Sequence, residues 1–280
     1  MGFKDILTIV SRLPDDEPAF VMAETVTAQF GAHLSCAFLT ALPDEPLAYE
    51  PTVVAGVWAE LLGRARAEAE THRAAIEARV ARSGVPCEMR RAEALSRDLG
   101  RVAAVHARYA DLAVLAHAAV SEAREARVDQ IEGVLFHSGR PVLLAPRGWT
   151  GETIGKRIVI GWDASREATR AVSEAKPFLA QCDSALILTV DAKPRAFGHG
   201  DQPGQNIAAH LSRRGVKVDV RNADSLGRSI ADALLQEAEG FGADLLVMGA
   251  YGHSRLRELV FGGATRELLD DSRLPLFMAH

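Results

Sequence analysis

The chain repeats itself once, and this repeat limits the folds open to it more than any other feature. Lys4-Asp5-Ile6-Leu7-Thr8-Ile9-Val10 resembles Lys156-Arg157-Ile158-Val159-Ile160-Gly161-Trp162. Ser83-Gly84-Val85 resembles Arg214-Gly215-Val216, and Tyr109-Ala110-Asp111-Leu112 resembles Gly242-Ala243-Asp244-Leu245. Each half closes on an apolar run, Pro141-Val142-Leu143-Leu144-Ala145 and Pro275-Leu276-Phe277-Met278-Ala279. The matches occur in the same order in both halves. The 280 residues therefore read as two copies of one fold, each about 140 residues and within the usual domain size. The predicted domains are 1–147 and 154–280, joined by the breaker-rich Pro146-Arg147-Gly148-Trp149-Thr150-Gly151.

Each copy alternates strand-like and helix-like segments. In the second half, strands are expected at 156–162, 184–190, 216–221, 244–248 and 275–279. Helices are expected at 166–180, 206–214, 227–240 and 263–271, with Pro177 kinking or stopping the first. Asp163 or Ser165 could cap that helix. The strands are near-continuous apolar runs joined through helix-length segments, which is the pattern of a parallel sheet covered on both faces. Asn-Gly and Asp-Gly hairpin signals are absent. The predicted fold class is α/β, two tandem doubly wound parallel five-stranded sheets. In the first half, the Ala/Arg/Glu-rich stretch 53–83 predicts a long helix that covers the sheet with a solvated outer face.

Composition narrows the function classes. Lys plus Arg total 32 against 37 for Asp plus Glu, a net charge of −5, which gives no electrostatic footprint for nucleic acid. No apolar run approaches the roughly 20 residues that span a bilayer, and the N-terminal run reads as a strand, not a leader. Cys36, Cys87 and Cys182 form no CxxC pair, so a reducing cytoplasm is expected. His199 and His210 are isolated and suggest no metal site. The sequence holds no GxxxxGK[ST], no GxGxxG after a strand, no GxSxG and no HExxH.

In an open parallel sheet, ligands bind outside the carboxyl ends of the strands. After the fourth strand of the second half comes Met248-Gly249-Ala250-Tyr251-Gly252-His253-Ser254, and then Gly262-Gly263-Ala264-Thr265-Arg266. Gly249 and Gly252 allow tight turning and close approach of a ligand. Gly262-Gly263 opens a helix whose free N–H groups can hold phosphate, with the Thr265 hydroxyl in its first turn. His253 beside Ser254 pairs a base with a nucleophile on paper, but no third group orients them. Ser254 reads more simply as the cap of a short helix.

The pattern Gly-x2-Gly-x9-Gly-Gly-x-Thr resembles the nucleotide-binding motif of the universal stress protein family. The resemblance extends over 154–280, including Gly161-Trp162-Asp163-Ala164-Ser165 at the first strand end, and covers the first half more weakly. It implies an adenine nucleotide alpha hydrolase-like fold, with two copies packed as an intramolecular pseudo-dimer whose last strands, 141–145 and 275–279, meet. It implies contacts to ATP from Trp162, Asp163, Ala164, Val190, Met248, Gly249, Gly252, His253, Gly262, Gly263, Ala264 and Thr265. Asp163 would meet the adenine–ribose part, Val190 the adenine, and the glycines with Thr265 the phosphates, with Mg²⁺ as the companion ion. Gly263 stands where the family often has Ser or Thr, which removes one hydroxyl.

The first half departs from the motif. Ala116 and Ala119 stand opposite Gly249 and Gly252, and Ser11 opposite Asp163. Asp129 and Glu132 fall near the positions of Gly262 and Thr265, where carboxylates would repel phosphate. The expected function is a cytoplasmic stress-response protein that holds an adenine nucleotide in its second half and signals, with at most slow ATP hydrolysis. The alternative is a protein-interaction or small-ligand scaffold with a relic glycine loop; a third reading is phosphotransfer involving His253. The sequence names no protein partner and leaves a homodimer open.

Overall fold

A computed structural model describes residues 2–45, 51–118, 124–194, 199–251 and 263–280. They fall into two compact units, one built mainly from Phe3–Ala116 and Val120–Arg140, the other from Pro141–His280.

The N-terminal unit contains β1 (Asp5–Val10), α1 (Leu13–Phe30), β2 (His33–Leu42), α2 (Pro51–Ala81), β3 (Cys87–Leu95), α3 (Leu99–Ala107), β4 (Leu112–Ala116) and α4 (Arg124–His137). Its strands pair in parallel in the order β3-β2-β1-β4. The Ala/Arg/Glu-rich stretch is indeed one long helix, α2. Its C-terminal end is fastened by Arg79, which donates to Glu17 at 2.8 Å and to Glu24 at 2.6 Å, both on α1. The same guanidinium lies 4.2 Å from the centre of the Phe20 ring.

The C-terminal unit contains β5 (Val142–Ala145), β6 (Arg157–Gly161), α5 (Arg166–Glu174), α6 (Lys176–Leu179), β7 (Ser184–Val190), α7 (Gln205–Ser212), β8 (Val218–Ala223), α8 (Ile230–Phe241), β9 (Leu245–Gly249), α9 (Gly263–Asp271) and β10 (Leu276–Ala279). Five strands run parallel in the order β10-β9-β6-β7-β8. Ile158, Val159, Ile160, Leu245, Leu246, Val247, Leu276, Phe277 and Met278 are fully buried, which explains the unbroken apolar runs. As expected, Pro177 ends a helix early: α5 stops before it and the short α6 restarts with Pro177 in its first turn, where the missing N–H costs nothing.

The β5 strand pairs antiparallel with β10, with Leu144 opposite Leu276 and Val142 opposite Met278. The two apolar end-runs thus meet, as the resemblance implies, and each covers an edge that would otherwise be open to other chains. The third strand differs from its prediction: β8 runs two residues further along. Its register against β7 ends at Val190 opposite Ala223, and its residues alternate between exposed and less exposed. An apolar-run criterion misplaces such a strand.

The repeated Ala-Asp-Leu has a local cause. The Asp244 carboxylate accepts from the backbone N–H of Lys156 and of Arg157, both at 2.9 Å. Asp111 does the same for Lys4 at 2.7 Å and Asp5 at 3.2 Å. In each unit, the Asp that precedes the fourth strand satisfies donors at the start of the first.

Candidate functional site

A cavity of about 340 Å³ opens at the carboxyl ends of the C-terminal unit's strands. Gly161, Trp162 and Asp163 come from β6 and the turn after it, Leu188 and Val190 from β7, and Met248 and Gly249 from β9. Ile230 and Leu234 of α8 form a wall, His199 enters from the β7–α7 loop, and Gly263, Ala264 and Thr265 open α9. The chain passes from β6 to β7 on one side and from β9 to β10 on the other, while β6 and β9 pair directly. The cavity therefore lies at the switch point of a doubly wound sheet, where diverging connections leave a crevice.

Of the residues singled out from sequence, Trp162, Asp163, Val190, Met248, Gly249, Gly263, Ala264 and Thr265 line this one cavity. Ala164 does not line it; it occupies the turn behind Asp163 at φ 61°. Gly252, His253 and Gly262 lie outside the described residues, as do Ser254 and the short helix expected after it. Capping and ligand-facing roles are divided between neighbours. The Ser165 hydroxyl caps α5 by accepting from the Ala168 N–H at 3.0 Å. Asp163, exposed at the cavity rim, accepts from the Ser165 N–H at 3.0 Å through one carboxylate oxygen.

Gly249 has a steric role that sequence did not reveal. A Cβ there would stand 2.4 Å from the Ala168 nitrogen and 2.9 Å from the Glu167 Cβ. Its hydrogen lets β9 pack against the first turn of α5. Gly263 is different: a Cβ there would meet only the Glu267 carboxylate, at 3.9 Å. Buried Thr265 accepts from the Tyr251 N–H at 3.4 Å, so its own O–H still has a proton to donate.

Four turns after strands of the C-terminal unit hold a non-glycine residue in the left-handed region. Ala164, Asp191, Leu226 and Tyr251 have positive φ, at 61°, 50°, 54° and 58°. They follow β6, β7, β8 and β9 respectively. Such conformations cost about 1–3 kcal/mol each and cluster at functional sites. Among the described residues of the N-terminal unit, no non-glycine residue has positive φ. The Asp191 turn is tied to its neighbour: Asp191 accepts from the Ser225 N–H at 3.0 Å, and hydrogen bonds from Ser225 hold its carboxyl below the usual range.

The corresponding place in the N-terminal unit is built otherwise. A cavity of about 350 Å³ is lined by Ser11 and Arg12 after β1, by Phe38 to Ala41 of β2, by α2, and by Arg127 and Gln130 of α4. Asp16, fully buried, accepts from the N–H groups of Ser11 at 2.6 Å and Arg12 at 3.0 Å. It also pairs with the buried Arg127, which donates to Gln130 at 2.9 Å. This cavity carries its own anion and its own counter-charge. The expected cause of its altered chemistry, repulsion by Asp129 and Glu132, is corrected here. Neither lines the cavity, and Asp129 instead accepts from the Gly100 N–H of α3 at 2.7 Å.

Sequence reasoning missed Gly161, Leu188, His199, Ile230 and Leu234 as lining residues. Leu188 and Gly161 were legible as strand ends. The α8 pair and His199 carry no local signal, because the tertiary fold alone brings them to the crevice. Among the described residues, no cluster of His, Cys, Asp and Glu could hold a metal ion, and no helix is long and apolar enough to cross a membrane.

Residues 155–280 match the model of the universal stress protein family. A curated relative, universal stress protein Slr1230 of Synechocystis, is 28% identical over 152 residues. That match covers 52% of this chain, which spans about half, 49%, of the relative's length. A crystal structure of a universal stress protein from Archaeoglobus fulgidus is similar with a TM-score of 0.69 at 16% identity, covering 98% of this chain and 95% of that one. A putative universal stress protein from Pseudomonas aeruginosa gives 0.52 at 15% identity, covering 99% and 93%. At these identities the solved structures speak to the fold.

Proposed function

We propose that this chain, whose residues 155–280 match the model of the universal stress protein family, is a stress-response protein whose C-terminal unit holds an adenine nucleotide, ATP foremost. The observation that carries this reading is the convergence of Trp162, Asp163, Val190, Gly249 and the glycine-led start of α9 on one crevice at the sheet's switch point. The chemistry of that crevice suits the ligand from end to end. Leu188, Val190, Met248 and Leu234 provide apolar walls for a base, and Asp163 at the rim can accept from ribose hydroxyls. The first residues of α9, Gly263 to Thr265, line the same crevice and offer helix-start N–H groups suited to phosphates. The Thr265 hydroxyl adds a donor. Mg²⁺ would take its ligands mainly from phosphate and water, as it does where proteins offer no carboxylate cage.

The reading is of binding, not turnover. Among the described lining residues, the titratable side chains are Asp163 and His199. Both follow β6 and β7, and neither belongs to α9. Occupancy of the crevice would then be the signal.

The test is calorimetric titration of the full chain with Mg-ATP. One equivalent is expected, abolished by Gly263→Asp, which sets a carboxylate at the phosphate end in a place with room for it. Two equivalents would assign a second site to the N-terminal unit. No binding would favour a scaffold function.

A further inference from the structure

The turns that follow β7 and β8 are stitched to each other by side chains. Asp191, the first residue after β7, has φ 50°. Its carboxylate accepts from the Ser225 N–H, two residues beyond β8, at 3.0 Å. Asn222 of β8 reaches the other way. Its Oδ1 accepts from the Thr189 hydroxyl at 2.8 Å and from the Ala192 N–H at 3.2 Å, and its Nδ2 donates to the Ala192 carbonyl at 3.0 Å. A left-handed conformation at a residue other than glycine persists only where its surroundings over-determine it, and these bonds supply that determination. Neither Asp191 nor Ser225 lines the crevice, but the elements they hold do. Val190 immediately precedes Asp191, and Ile230 is the first residue of α8. Between Ser225 and Ile230 the chain turns tightly: the Ser225 carbonyl accepts from the Arg228 N–H at 3.0 Å, around Leu226 and Gly227 at φ 54° and 80°. Anchoring Ser225 therefore anchors the start of α8. Ile230 is 42% exposed, so its place depends more on where α8 starts than on neighbours packed around it.

We propose that Asp191 is a positioning residue for the nucleoside end of the crevice. Its bond to Ser225 fixes the spacing between the Val190 and Ile230 walls, and that spacing sets the affinity for base and ribose. This rests on the nucleotide reading above and deepens it. The assignment to the nucleoside end follows from the strand order. β6 stands between β9 on one side and β7 and β8 on the other. The start of α9, which offers N–H groups to phosphates, follows β9, whereas the stitch joins the turns after β7 and β8.

Two variants of the full chain test this, each titrated with ATP and, separately, with adenosine. Asp191→Gly removes the carboxylate, and glycine is at ease at a positive φ. Asp191→Asn keeps an acceptor for the Ser225 N–H, and asparagine also tolerates the left-handed region. The expectation is that Asp191→Gly weakens ATP and adenosine by the same factor, about threefold to tenfold, and that Asp191→Asn restores most of the loss. Without ligand, both variants should melt within about 2 °C of the parent, because one exposed hydrogen bond contributes little to the fold of a chain this size. A merely structural aspartate would show the reverse, a lowered melting temperature in Asp191→Gly with unchanged affinities. Parent affinity for both ligands in Asp191→Gly would overturn the inference while leaving the nucleotide reading intact. So would a larger loss for ATP than for adenosine, which would carry the effect to the phosphates, and so would an Asp191→Asn variant as weak as Asp191→Gly. Failure of the parent chain to bind either ligand would overturn the nucleotide reading itself and the inference with it.

Discussion

Gly249 and Gly263 look alike in sequence, as two glycines of one loop motif, yet the structure gives them opposite constraints. At Gly249 any side chain meets the backbone of α5, with the Ala168 nitrogen 2.4 Å from a Cβ. At Gly263 the space is open toward the cavity. Gly249→Ala should therefore lower stability by about 1–3 kcal/mol, the usual cost of overpacking, as read by denaturant unfolding without ligand. Gly263→Ser should leave that midpoint unchanged and tighten Mg-ATP about threefold to tenfold, because it supplies a hydroxyl beside the phosphates. If Gly263→Ser weakened binding, the α9 end would not be the phosphate cradle. The sequence placed both residues at the site because glycine spacing is local. It could not separate them, since the α5 turn that crowds Gly249 lies some eighty positions away. Asp16 shows the same limit: within Asp15-Asp16-Glu17 it reads as a solvated acid, but its Arg127 partner, 111 residues on, makes it a buried one.

Among the described elements, the longest is α2, of 31 residues. α2 carries a largely exposed outer face with ion pairs such as Arg64–Glu60, each worth little on an exposed helix. Its anchor is Arg79, with a side chain 15% exposed, between Glu17 and Glu24 of α1. Burial alone would raise the Glu24 carboxyl, but hydrogen bonds from Arg79, Ser83 and the Gly84 backbone overcome it and hold the group below its ordinary 4.5. A carboxylate depressed in the folded state binds fewer protons there than in the unfolded chain. Its stabilisation is thus present above pH 4.5 and is lost as pH falls through the folded value. Arg79→Met should lower stability by about 2 kcal/mol at neutral pH, with the deficit shrinking in acid as Glu24 protonates. Urea midpoints at pH 7 and below pH 4 measure this, and a pH-independent deficit would mean that Arg79 acts through packing on Phe20 instead. The helix itself was legible from composition, as were the strands with continuous apolar runs. The anchor was not, because it joins residues 55 and 62 positions apart. β8 was misplaced because a strand with alternating exposure offers no apolar run to mark its ends.

Across the whole chain, the repeat preserved the scaffold and left the sites to diverge. Both units place the first strand between the second and the fourth, and both satisfy its first N–H groups with an Asp ahead of the fourth. The C-terminal crevice keeps Gly263 at the start of α9, and left-handed turns follow four successive strands of its unit. The N-terminal one is closed electrically by Asp16 and Arg127, so a polyanion entering it would have to displace a buried carboxylate from its partner. This asymmetry makes a thermodynamic prediction. A ligand that binds the folded state alone stabilises it by RT ln(1 + [L]/Kd), about 2.7 kcal/mol at a hundredfold excess over Kd. At about 2–4 °C per kcal/mol for chains of this size, Mg-ATP should raise the melting temperature by about 5–10 °C, rising with the logarithm of concentration. Gly263→Asp should flatten that curve while melting near the parent value without ligand. A curve unchanged by Gly263→Asp would place the nucleotide elsewhere. It would also mean that the open crevice of the C-terminal unit, for all its strained turns, serves another ligand.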